Sequence, residues 1–229
     1  MRLILIILFI STALRAQNFE LHIEAKTVVP GKKIYLEYIN ETGKIVKIDS
    51  ASPSVQRKVT FKGLVKDQGA FYLVNFFDTP KPQKVLVILE GGESIDIVAD
   101  GINDEDGKSA FTLKGDYPNV KFMLELMAIS KEMEAKVRKW NQEIQVDPKQ
   151  EKRIQAEFTQ AQAASTAKIK ALIPQMGSHL VALWATNFLP AEKEMASLLE
   201  IADRLGKARP THPQVQQFVH NLERLQGVN

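Results

Sequence analysis

Between residues 19 and 115 apolar and polar positions mostly alternate, whereas beyond residue 117 they fall into helical stripes. Phe19, Leu21, Ile23 and Ala25 are interleaved with Glu20, His22, Glu24 and Lys26, the period of a strand with one dry and one wet face. Pro30-Gly31 turns the chain. Ile34, Leu36 and Tyr38 repeat the alternation, Asn40-Glu41-Thr42-Gly43 supplies turn chemistry, and Ile45 to Ile48 follows, so these runs predict a hairpin. Val59 and Phe61 mark a fourth strand. Phe71 to Phe77 and Val85 to Leu89 are apolar on successive residues, the pattern of strands covered on both faces. Gly91-Gly92 leads into Ser94 to Val98, and Ala110, Phe111 and Leu113 form the last run. Strands this short and closely spaced predict an antiparallel β-sandwich or an open barrel.

From Pro118 the pattern changes to one of helices. Phe122, Leu126, Ile129, Met133, Val137, Trp140 and Ile144 recur every three or four residues and lie on one stripe of a long helix. Asp147-Pro148 ends it and caps a second helix, with Ile154, Phe158, Ala161, Ile169 and Leu172 on a thinner, alanine-padded stripe that Pro174 and Gly177 stop. A short apolar helix over Leu180 to Phe188, one from near Pro190 to Gly206, and one starting at Pro213 complete the chain. The stripes, and the methionines Met123, Met127, Met133 and Met195, read as packing within the chain. The fold class expected is therefore α+β, a β-sandwich or open barrel over 17–117 followed by an α-helical region over 118–229.

Residues 1–16 stand apart from both patterns. Arg2 is a short positive segment, Leu3 to Ile10 an apolar core, and Ser11, Thr12, Ala13 and Ala16 are small residues suited to cleavage, best after Ala16. This predicts a signal peptide and export to the periplasm or cell envelope. The apolar run is shorter than the roughly 20 residues a membrane anchor requires, and no cysteine near the cut can carry a lipid. A soluble product is expected. Of 30 basic residues the leader holds Arg2 and Arg15, leaving 28 against 27 acidic ones, so nothing in the charge calls for nucleic acid. The chain contains no cysteine, which excludes thiol catalysis, thiolate metal ligation and disulfide stapling on these residues.

No catalytic motif survives inspection, and no catalytic, cofactor-binding or metal residue is assigned. Gly107-Lys108-Ser109 ends like a phosphate loop, but Gly101 is one residue too far upstream, and Asp104, Glu105 and Asp106 would repel a phosphate. Gly92-Glu93-Ser94-Ile95-Asp96 resembles a nucleophile elbow until Asp96 replaces the required glycine. His22, His179, His212 and His220 form no metal-spaced pair; His22 reads as solvated, and His179 and His212 as helix starters. The acidic loop Asp100 to Asp106 departs from calcium-loop order and reads as a hairpin tip. Ser94 and the histidines are the residues a hydrolase would have to use, the weakest of the readings.

Lys33-Ile34-Tyr35-Leu36, Lys47-Ile48-Asp49-Ser50-Ala51, Phe61-Lys62-Gly63, Gly69-Ala70-Phe71-Tyr72-Leu73 and Leu89-Glu90-Gly91-Gly92-Glu93-Ser94-Ile95 follow one another in an order that resembles the domain of unknown function 4369. That domain stands N-terminal to exported thioredoxin-like disulfide reductases of the TlpA/ResA type. Ile173-Pro174-Gln175-Met176-Gly177-Ser178 and Pro210-Thr211-His212-Pro213 are similar to the helical linker that follows it. In that family a thioredoxin domain with a Cys-x-x-Cys pair comes next, which this sequence does not contain. The resemblance implies a non-catalytic envelope module that positions or recognises substrates for a thioredoxin-like domain carried elsewhere, with a protein partner and no cofactor. The alternative is a stand-alone envelope protein binding a peptide, glycan or partner strand, with Tyr35, Tyr72, Phe76 and Phe77 as candidate surface aromatics, at least half of which core packing is expected to claim. Asp49-Ser50-Ala51 is similar to sites that some bacteria O-glycosylate, beside its simpler reading as a strand-end turn.

Overall fold

The computed structural model describes residues 18–227, so the leader expected at 1–16 lies outside the described residues. Eight strands come first: β1 (Asn18–Ala25), β2 (Ile34–Ile39), β3 (Ile45–Ala51), β4 (Lys58–Leu64), β5 (Ala70–Phe76), β6 (Lys84–Leu89), β7 (Ser94–Ala99) and β8 (Phe111–Lys114). They form two four-stranded sheets, ordered β4-β1-β7-β8 and β3-β2-β5-β6. The expected β2–β3 hairpin is present, with a bulge beside Leu36 and Glu37. One pairing departs from the antiparallel expectation: β1 and β7 run parallel, Leu21 opposite Ile95 and Ile23 opposite Ile97. Hairpin turns dictate direction only for strands they join, and no turn joins these two.

Register explains which apolar positions are buried where. Leu21, Phe61 and Ile95 lie side by side on the inner face of the first sheet, while Glu20, His22 and Glu24 face water. On the second sheet Tyr72 packs its ring 5.5 Å from Phe19, fixing the Tyr72, Val74, Val85 and Val87 face as the inner one. Phe71 and Ile88 therefore point outward, yet both are buried, in the same apolar cluster as Val120, Phe122 and Leu126 of the helical region. That second covering accounts for the unbroken apolar runs of β5 and β6.

The helices are α1 (Pro118–Val146), α2 (Glu151–Met176), α3 (Val181–Ala185), α4 (Ala191–Ala208) and α5 (Pro213–Leu225). The first part of the α1 stripe, Phe122 to Leu126, joins the main core, whereas Trp140 farther along meets Phe158 of α2 edge-on at 6.2 Å. A 3-10 turn, Pro148–Gln150, separates the two long helices, with the Asp147 carboxylate accepting the Lys149 N–H at 3.1 Å. Two expected stops are corrected. Pro174 lies inside the last turn of α2, where few residues remain to be disrupted, and the chain leaves the helix at Gly177, φ +54°. Gly206 sits inside α4, which runs on to Ala208.

Candidate functional site

The densest polar cluster lies where three turns of the chain meet. In the β6–β7 turn the Glu93 carboxylate folds back to accept the N–H groups of Glu90 and Gly91, each at 2.6 Å. The Tyr117 hydroxyl, at the start of α1, accepts the Ser94 N–H at 3.0 Å and donates to the Gly92 carbonyl at 3.1 Å. With its turn held from both sides, Glu90 reaches away from the sandwich. Its Oε2 contacts His179 Nδ1 at 2.6 Å, and its Oε1 accepts the Leu180 N–H at 2.8 Å. Arg209, in the α4–α5 link, donates Nη2 to the same Oε1, Nε to the Ser178 carbonyl at 2.9 Å and Nη1 to the Gln68 carbonyl at 2.7 Å. His179, expected to start a helix, instead pairs with Glu90, and the Glu90 carboxylate satisfies the N–H at the head of α3.

The β4–β5 turn supplies the remaining wall. Asp67 and Gln68 are both left-handed, at φ +52° and +63°, which aims successive carbonyls at the helical region. Gly69 follows at φ +130°, a backbone that favours glycine, and a Cβ there would stand 2.7 Å from Leu180 Cδ1, so the leucine side chain would have to shift. Its carbonyl lies 2.8 Å from His212 Nε2. The other ring nitrogen of His212 accepts the Val215 N–H at 3.4 Å and caps α5, as a helix starter should. This arrangement fixes the neutral Nε2–H tautomer, and burial above all pulls the imidazole below its ordinary range.

A carboxylate, two imidazoles and a guanidinium are the ingredients of acid–base chemistry, but here they are consumed in holding segments together. Glu90 serves a backbone amide, an arginine and a histidine at once, and both nitrogens of His212 are engaged. A general base needs a lone pair aimed at a substrate. The arrangement acts as a lock between sandwich and helices.

The residues singled out in the sequence are elsewhere. Register puts Ser94, His22 and Asp96 on the outer face of the first sheet, since Glu20 opposes Ser94 and His22 opposes Asp96. Among the described residues no hydrogen bond joins the three, and His22 Nε2 stands 3.5 Å from Glu20. Gly107-Lys108-Ser109 belongs to a hairpin tip, where Asp104 accepts the Lys108 N–H at 2.7 Å and Lys108 Nζ meets Asp106 at 2.9 Å. Asp100 holds the base of that hairpin, taking the Ala110 N–H at 2.5 Å and Lys26 at 2.9 Å, and both contacts keep it a strong acid. Among the described residues no group of three or more acidic or histidine side chains converges as a metal would require.

Of the four candidate surface aromatics, more than the half expected in the core are found there: Tyr72, Phe76 and Phe77 have no exposure. Phe77 escapes the alternation because its left-handed backbone, φ +69°, folds its ring back to 6.1 Å from that of Phe76. Tyr35 remains near the surface, with Lys47 Nζ 4.1 Å above its ring. Ser50 lies on edge strand β3 opposite Tyr35, its N–H held by the Asp49 carboxylate at 2.7 Å. Glu90, Arg209 and Gln68 carried no sequence signal as a site, because a turn acid and a loop arginine look like solvated charges until the fold brings them together. No family model, curated protein or solved structure matches this chain.

Proposed function

We propose that this protein is a non-catalytic cell-envelope module that positions a thioredoxin-like disulfide reductase domain or recognises its substrates. The observation carrying the reading is the Glu90 knot, in which the chain's best acid–base groups serve to fix helices on a sandwich rather than to face a substrate. The lack of cysteine supports it, because a chain without thiols takes part in disulfide exchange only by holding something that has them. The resemblance of the strand and linker segments to the domain that precedes such reductases supplies the partner class. Export follows the leader-like residues 1–16.

The test is direct. The purified exported product is immobilised and titrated with each exported thioredoxin-like domain of the same organism, its Cys-x-x-Cys pair intact, since a chain without cysteine forms no mixed disulfide and binding must be read directly. Saturable binding by one of them, with a changed rate of disulfide reduction in a client protein, supports the reading. Failure of all of them to bind or respond overturns it.

A second reading, a stand-alone peptide binder, draws on β3. Ile45, Val46 and Ile48 are exposed on this edge strand, whose outer backbone groups have no neighbouring strand among the described residues. An extended peptide added there would pair along that edge. Binding of envelope peptides that is lost in Ile45→Asp and retained in Arg209→Ala would favour it over the first.

A further inference from the structure

His212 joins two elements through one ring. Its Nε2–H donates to the Gly69 carbonyl in the β4–β5 turn, and its Nδ1 accepts the Val215 N–H in the first turn of α5. The bond to Val215 exists only in the neutral ring, because it needs the Nδ1 lone pair, whereas the Nε2–H bond to Gly69 persists in either state. A second proton would sit on Nδ1 and face the Val215 N–H, donor against donor, at the helix end whose dipole already repels positive charge. The ring is 3% exposed, so water cannot take over either bond without separation of the two elements.

We propose that His212 makes the docking of α5 acid-labile: protonation uncaps the helix and leaves a buried charge at its first turn, which loosens α5 and uncovers the apolar face between α4 and α5. The surroundings set how steep this is. Arg209 of the α4–α5 link opposes a charge on the ring, while Asp67 of the β4–β5 turn and Glu90 of the β6–β7 turn favour it, and the Gly69 carbonyl favours it too. Burial outweighs these, so the folded ring titrates below the unfolded one. The sign follows: the contribution of the neutral cap is fully present above the ordinary imidazole value of 6.5 and fades as pH falls from there through the lower value of the folded ring. Release of α5 exposes Val215 and Leu222, both buried in the docked state, together with Leu205 of α4. That creates a conditional apolar groove on the helical region. The proposal stands independently of the reductase reading.

Hydrogen exchange of the purified protein, followed residue by residue from about pH 8 to about pH 5 and corrected for intrinsic exchange rates, tests it. The expected result is a loss of protection of roughly ten-fold or more over Val215 to Leu222, with the amides of β5 unchanged. His212→Asn keeps a neutral cap for Val215 and should abolish the pH response while leaving α5 protected at high pH. His179→Gln serves as the control for the neighbouring imidazole and should leave the response intact. Protection of α5 that does not change with pH, a response that persists in His212→Asn, or one that vanishes in His179→Gln overturns the proposal.

Discussion

Arg209 and Glu90, 119 residues apart in the chain, form an ion pair that closes the helical region onto the sandwich. The pair is mostly buried, with side chains 16% and 12% exposed, so its charges are held where solvent screens them little. Arg209 also bonds the carbonyls of Ser178 and Gln68, so one planar guanidinium ties three separate segments. Such a contact forms only after both parts have folded.

Arg209→Ala should therefore destabilise the protein strongly. It leaves the mostly buried Glu90 carboxylate with only His179 and the Leu180 N–H and frees two carbonyls, and removing one partner of a buried pair costs about 3 kcal/mol. Arg209→Lys restores the charge without the fork and should recover less than half of the loss. Denaturant unfolding of the three proteins checks this. Equal stability of wild type and Arg209→Ala would refute the role assigned to the knot.

Gly69 offers a sharper geometric test. Alanine there meets two penalties, the left-handed φ of +130° and a Cβ placed 2.7 Å from Leu180 Cδ1. Together they should cost about 2 kcal/mol or more. The second penalty disappears when Leu180 is shortened, so Gly69→Ala and Leu180→Ala should be less damaging together than their separate effects predict. Strict additivity in a double-mutant cycle would show that the close approach is not what requires glycine.

Much of this fold was legible because it is local. The alternation of β1, the Asn40 to Gly43 turn and the stripe from Phe122 to Ile144 each report a relation between near neighbours. The parallel pairing of Leu21 with Ile95 and the meeting of Glu90 with Arg209 are relations between distant segments, and neither leaves a periodic trace. Phe77 shows a third kind of gap. Its burial depends on a left-handed backbone at a non-glycine residue, which residue type does not announce. Ile45, Val46 and Ile48 fail in the opposite direction, apolar by sequence and exposed because β3 is an edge. His212 was legible as a helix start, as His22 was as a residue of the wet strand face, since a histidine before proline and a histidine in a polar alternation are local signals.

Glu132 should give the α1–α2 pair a pH dependence of its own. Hydrogen bonds from Lys136, one turn on, and Lys168, across on α2, hold its carboxyl down to about 2 from an ordinary 4.5. A depressed carboxyl contributes stability above its unfolded value, and that contribution fades as pH falls from 4.5 toward 2. Because the site is exposed, salt should screen it and bring the titration back toward the ordinary value. Carboxyl NMR at low and high ionic strength measures the effect, and Glu132→Gln should remove it. A Glu132 that titrates near 4.5 in low salt would mean that the two lysines do not hold it in solution.

The last expectation concerns how the helices share stability. Phe122, Met123 and Leu126 of α1 and Ile169 and Ile173 of α2 belong to the main core, whereas Trp140 and Ile154, though buried, do not. The far part of the α1–α2 pair is thus held by its own small cluster: the Trp140–Phe158 contact, the Trp140 Nε1–H donated to Glu157 at 3.0 Å, and the Arg153 pairs to Glu143 and Glu157. Two helices without a third covering element are marginal, because helical stability comes mainly from packing an apolar face. This far part should open before the sandwich does. The chain's two tryptophans make the comparison simple, since Trp184 packs on Phe188 at 4.9 Å beside α3. In Trp184→Phe the remaining fluorescence follows the far part of the helix pair, and in Trp140→Phe it follows the body. The first should show a lower denaturant midpoint than the second. Coincident transitions would mean that Trp140 is coupled to the core as tightly as Leu126, and that the long helices unfold as one with the sandwich.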